Sequence, residues 1–148
     1  MVRLLLVFAL QPQPLCAEAR RFVERSGMVA VVERDTIDDW RTRQRTPGCR
    51  VTAAGATAVG IRRAAEDFYQ RLRAAGWTRT PDPIDAPNEA SLRFRHAAVD
   101  CLFNVYEGAV LNTEAEARAA TVVEPRQGER RYHAFVMCVP AAPAAPRA

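Results

Sequence analysis

Apolar residues at Ile61, Ala65, Phe68, Leu72 and Ala75 recur at steps of four, three, four and three, while Arg62, Arg63, Glu66, Asp67, Arg71 and Arg73 fill the intervening positions. That period draws one apolar stripe along a helix from about Thr57 to Ala75, with ion pairs laced along its wet side. Gly76 suits the left-handed position that ends it, and Trp77 can fold back onto the helix end. Such a stripe needs an apolar partner, and the later pattern supplies a sheet. Leu92 and Phe94 alternate with Arg93 and Arg95, and Val99, Cys101, Phe103 and Val105 alternate with Asp100, Asn104 and Tyr106. Two strands joined at Ala97-Ala98 follow, with Arg95 and Asp100 opposed on an exposed face. The run from Arg131 to Val139 is almost wholly apolar after His133, which places it inside the sheet.

Weaker signals complete the layout. Met28 to Glu33 reads as a short strand. Thr36 to Asp39 resembles a capping box opening a short helix through Ile37, Trp40 and Gln44, stopped by the turn Thr46-Pro47-Gly48. Cys49 to Ala53 is a brief extended segment. Three prolines and two aspartates between Thr80 and Asn88 make a loop. Thr113 and Glu116 form a second capping box for a helix to about Ala120, and Pro125 to Gly128 is a turn. The expected fold is therefore α+β: a two-layer sandwich, one main helix packed on an antiparallel sheet of three to five strands, with two short accessory helices.

The chain ends change the domain count. Met1-Val2-Arg3, the apolar run Leu4 to Leu10, and a polar stretch closing on Ala17-Glu18-Ala19 have the three parts of a signal peptide. The expected division is a signal peptide over 1–19, a single α+β domain over 20–139 and a disordered Ala/Pro tail over 140–148. The expected location is periplasmic or secreted. Seven apolar residues are far short of the roughly 20 that span a bilayer, so no membrane-spanning segment is expected. Cys16 raises lipidation as an alternative, but Leu15 stands where a small residue would precede a lipidated cysteine.

Net charge is +4, carried by 21 basic residues against 17 acids. Every basic residue is arginine, interleaved with acids rather than gathered on an aromatic platform, so no nucleic-acid partner is expected. In an oxidising compartment Cys49, Cys101 and Cys138 are the disulfide candidates, with the three pairings open. A Cys101–Cys138 bridge would be worth roughly 3 to 4 kcal/mol in loop entropy. Zinc is disfavoured because no two cysteines are close in the chain and His96 and His133 lack ligand spacing.

Candidate chemistry is sparse. A thiol enzyme or hydrolase centred on Cys101 and His133 is conceivable, yet alternation sends Cys101 toward the core and Asp100 to the other face. Asp82, Asp85 and Glu89 could offer oxygens to calcium, but lack a glycine-hinged ligand loop. Phosphate-loop, nucleophile-elbow and zinc-protease motifs are missing from the sequence, and no cofactor is expected. The remaining constellation is Trp77, Arg79, Arg93, Arg95 and Tyr106, an aromatic and guanidinium surface suited to a partner protein or a small anionic or carbohydrate ligand. An exported, non-catalytic binding or interaction domain is the leading expectation.

Overall fold

Residues 15–80 and 91–142 are described by the computed structural model. The calls on residues 1–14, on Asp82, Asp85 and Glu89, and on residues 143–148 lie outside the described residues. Helix α1 (Ala17–Arg25) buries Ala19, Phe22 and Val23. Gly27, at φ 84°, then turns the chain into β1 (Val29–Asp38). Next come β2 (Arg45–Thr57), α2 (Ile61–Ala74), β3 (Thr78–Arg79), β4 (Ser91–His96), β5 (Val99–Glu107), α3 (Glu114–Val122) and β6 (Arg130–Pro140). The six strands form one antiparallel sheet in the order β1-β2-β6-β5-β4-β3. The apolar run of β6 is interior, as its composition requires.

This corrects the expected two-layer sandwich of one main helix on three to five strands. The sheet has six strands, and helices cover both of its faces. Register assigns the faces: Cys101 pairs with Cys138 and Cys49 with Cys138, so these residues share the inner face with Val51, Phe103 and Val136. On that face Phe68 of α2 meets Phe22 of α1 edge-on at 5.1 Å and Phe103 at 6.2 Å. Trp77 packs edge-on against Phe103 at 5.2 Å. Burying each such ring stabilises the domain by roughly 1.5 to 3 kcal/mol. The outer face carries Thr52, Asn104, Tyr106, His133 and Phe135, and α3 lies over its β1–β2 side.

Three local expectations are also corrected. No helix forms after Thr36: β1 continues to Asp38, Ile37 pairs with Thr46 and is buried, and the turn at 39–44 is closed by Asp39, whose carboxylate accepts from the Arg41 backbone N–H. Thr46-Pro47-Gly48 is part of β2 rather than a turn. Gly48 is needed there for closeness: a Cβ would lie 2.4 Å from the Cys138 carbonyl oxygen and 2.7 Å from Ile37 Cγ1. Residues 140–142, expected to begin the disordered tail, are held instead, the Ala141 N–H donating to the Ala98 carbonyl and the Ala142 N–H to Asp100.

All four cysteines are bonded, Cys16 to Cys49 and Cys101 to Cys138. Cys16 and Ala19, assigned from sequence to the leader, are 1% and 0% exposed and belong to the core cluster. A cut after Ala19 would remove one partner of a disulfide and the first turn of α1. Among the described residues, no helix is long and apolar enough to cross a membrane.

Candidate functional site

The polar groups of the sheet include one satisfied network and, beneath α3, one site with unmet buried groups; Arg50 Nε and His96 Nδ1 are buried without a partner elsewhere. The network surrounds Asp100, which is 2% exposed and accepts from Arg95 Nε at 2.6 Å, Arg41 at 2.7 Å and the Ala142 N–H. Arg41 also grips Asp39 and donates to the Pro140 carbonyl. Burial raises the Asp100 carboxyl, but the Arg95 hydrogen bond and the remaining partners outweigh it and hold the group below its usual range. The expected cross-strand pair Arg95–Asp100 is present, with the acid buried rather than exposed. It ties the β1–β2 turn, the β4–β5 hairpin and the start of the tail together.

The unsatisfied site lies on the outer face beneath α3. The second capping box forms as the sequence implies: Thr113 is the N-cap and its hydroxyl accepts from the Glu116 N–H at 3.2 Å. Glu116 departs from the usual box, because its carboxylate turns into the preceding loop. There it accepts from the backbone N–H groups of Val110 at 3.0 Å, Leu111 at 3.3 Å and Asn112 at 2.8 Å, and from the Tyr106 hydroxyl at 2.9 Å. Burial pushes this carboxyl up, yet the converging donors prevail and keep it below its ordinary value. Tyr106 is pushed upward, first by burial and then by the Glu116 carboxylate.

Tyr106 stands opposite His133 in the β5–β6 register, and the two rings stack with centroids 5.2 Å apart and an interplanar angle of 15°. His133 is 3% exposed, and neither Nδ1 nor Nε2 makes a well-formed hydrogen bond beyond a loose contact with the Gly108 backbone. Burial lowers its pKa, against the opposing pull of the Glu116 charge and the nearby Gly108 backbone, so the ring is neutral. It borders a cavity of about 460 Å³ walled by Gly108, Ala109, Thr113, Ala117, Ala120 and Arg131. A neutral imidazole has one N–H donor and one bare acceptor. An unmet buried pair of this kind is costly, about 1 to 3 kcal/mol for each group, which marks the place where a ligand would be rewarded.

Of the residues singled out in the sequence, Tyr106 belongs to this site. Arg93 and Arg95 share its sheet face on β4, Arg95 being drawn into the Asp100 network. Trp77 is 3% exposed and faces the inner layer, and Arg79 lies over the Phe94 ring at 5.8 Å, also on the inner side. The five are therefore not gathered on one surface. Cys101 and His133 are on opposite faces, and the Cys101 sulfur is bonded to Cys138, so the pairing a thiol mechanism needs is not assembled. A cavity of about 510 Å³ between α2 and the β3–β5 edge includes Tyr69, Arg73, Arg79 and Leu92. Among the described residues, its walls hold no unpartnered buried polar atom.

Sequence reasoning missed Glu116 as a site residue because a capping box accounted for it. Its only further signal is that Glu116, Tyr106 and His133 occupy three elements whose register the sequence does not fix. No family model matches the chain, and no curated protein or solved structure does either.

Proposed function

We propose that this chain is a small exported binding domain, braced by its two disulfides, that holds an uncharged, hydroxyl-bearing ligand of the carbohydrate type against His133. The observation that carries the reading is the buried, neutral imidazole, whose nitrogens make no well-formed hydrogen bond, at the edge of a cavity. A sugar hydroxyl both donates and accepts, which matches what the ring lacks. Alanine and glycine walls suit the C–H surface of a sugar. Glu116 Oε1 is engaged by Tyr106, Val110 and Leu111 and Oε2 by Asn112 alone, and with Arg131 in the same wall the cavity holds no excess of either charge, which favours an uncharged ligand. Two disulfides fit an oxidising destination outside the cytosol, periplasmic or secreted.

The test is a titration of the protein with glucose, galactose and N-acetylglucosamine, followed through the ring 15N shifts of His133, with His96 as the internal reference. Saturable movement of the His133 nitrogens and of the Gly108, Ala109 and Ala117 backbone amides is expected, and the amide shifts should vanish in His133→Phe, which keeps the ring stack on Tyr106. Unmoved His133 resonances with all three sugars would overturn the ligand class. For export, the protein recovered from the producing cell should resist thiol alkylation at all four cysteines until reduced. Free thiols in that material would overturn it.

A further inference from the structure

The two disulfides are in contact. The Sγ atoms of Cys16, Cys49 and Cys138 all lie within 4.8 Å of one another, and Cys138 carries Cys101. Backbone register explains the crowding: Cys49 and Cys101 flank Cys138 from β2 and β5, directly opposite it on either side. Cys16, the N-cap residue of α1, reaches the same spot from the helix layer. One bridge therefore ends beside a sulfur of the other, at a distance a modest side-chain rotation can close.

The cluster also has a way in. Cys16 borders a surface cleft of about 340 Å³ walled by Ala17, Arg20, Arg21, Glu24 and Val32. Arg20 is paired with Glu24 and Arg21 with Glu18, both on the exposed side of the helix. Cys16 itself is 1% exposed, so attack on its sulfur requires the first turn of α1 to open.

We propose that the four cysteines form a single thiol–disulfide exchange site, at which an external dithiol entering beside Cys16 is oxidised while the internal bridge moves to Cys49–Cys138. A thiolate of the dithiol attacks Cys16 Sγ, forming a mixed disulfide and releasing Cys49 as thiolate. Cys49 attacks Cys138 Sγ, so that the Cys49–Cys138 bond forms and the Cys101–Cys138 bond breaks. The second thiol of the reagent, as thiolate, then attacks the mixed disulfide and releases Cys16. Net, one dithiol becomes a cyclic disulfide, two internal bridges become one, and the two protons of the dithiol end on Cys16 and Cys101.

One feature favours the shifted state over simple opening of Cys16–Cys49. The new bridge joins residues 138 − 49 = 89 apart, a longer loop than the separations of 33 and 37 in the present bridges, so it constrains the unfolded chain at least as strongly. The consequence is that α1 loses its covalent tether while the sheet stays stapled.

The experiment is stepwise reduction of the full chain with dithiothreitol, acid quenching, alkylation and mass mapping of the species that has lost one bridge. Cys49–Cys138 linkage with alkylated Cys16 and Cys101 is expected. Retention of Cys101–Cys138 with alkylated Cys16 and Cys49, or of Cys16–Cys49 with the other two alkylated, overturns the proposal. A second arm needs no reductant: in Cys16→Ser, Cys49 begins as the free thiol, and alkylation after acid quenching and denaturation should label Cys101 in a major fraction of molecules. A Cys16→Ser protein labelled at Cys49 alone would also overturn it.

Discussion

Replacing Glu116 with Gln changes two atoms' charge and one atom's hydrogen-bonding sense, in a side chain that is 2% exposed. The carboxylate receives four bonds, three from backbone N–H groups and one from the Tyr106 hydroxyl. A glutamine oxygen can keep the Val110, Leu111 and Tyr106 donors, but its NH₂ then faces the Asn112 N–H, donor against donor. Losing one charge-assisted bond costs about 1.5 to 3 kcal/mol, and weakening the other three from charged to neutral strength adds about as much again, less whatever the loop recovers by moving. Glu116→Gln should therefore destabilise the domain by about 3 kcal/mol near neutrality, read as a shift of the urea midpoint at unchanged slope.

The pH dependence supplies the sharper check. The folded-state pKa of Glu116 lies below its ordinary value of 4.5. Its stabilisation is therefore complete above about 4.5 and is lost as pH falls through the lower, folded-state value, where the protonated acid is nearly isosteric with Gln. The gap between wild type and variant should be flat from neutrality down to about pH 5 and close in stronger acid. A gap under about 0.5 kcal/mol at neutral pH, or one that persists undiminished in acid, would refute the idea that a charged carboxylate organises residues 110–112.

Asp100→Asn should cost about 2 to 3 kcal/mol in urea unfolding, the low end for a broken buried pair because Arg41 and Arg95 can recover water; a cost below 1 kcal/mol would show the network to be incidental. Gly48→Ala should destabilise by at least about 2 kcal/mol, since the added Cβ meets a backbone carbonyl that cannot move without breaking the β2–β6 ladder; a neutral thermal shift would contradict the close approach. His133 has a folded pKa below 6.5, so the unfolded chain takes up its proton first and stability should fall as pH drops below about 6.5, well before the carboxylates contribute. His133→Phe should remove that slope and match or exceed the wild type in stability at pH 5.5. A slope unchanged in the variant would place its origin elsewhere.

Several elements were legible from residue order because their causes are local. Gly76, the alternation through β4 and β5 and the Thr113 cap each depend on neighbours within a turn or a pleat, and each is present; the helix expected over Thr57–Ala75 runs Ile61–Ala74 instead, with Ala75 exposed and Ala64 and Tyr69 buried beside Phe68 and Leu72. The segment 36–48 was misread because its local signals point the wrong way. Thr36 and Asp39 resemble a helix start and Pro47-Gly48 a turn. The strand there is enforced by Ile37 packing against the Gly48 and Val139 region and by pairing along β1 and β2, contacts that residue order does not display. The same limit hid the third layer, because a short alanine-rich helix gives no sign of which sheet face it will cover.

What the sequence determined alone was the presence of helices beside an antiparallel sheet, the interior position of the last strand and the inward direction of Cys101, all consequences of period-two and period-3.6 patterning. Tertiary structure decided the rest. Only the register of β2, β6 and β5 brings the sulfurs of two bridges together, and only placing α3 over the outer face encloses His133 with the Glu116 cradle. The physical reason is that periodicity fixes which way a side chain points, whereas site chemistry depends on which distant side chain it meets, and that is set by strand order and layer packing.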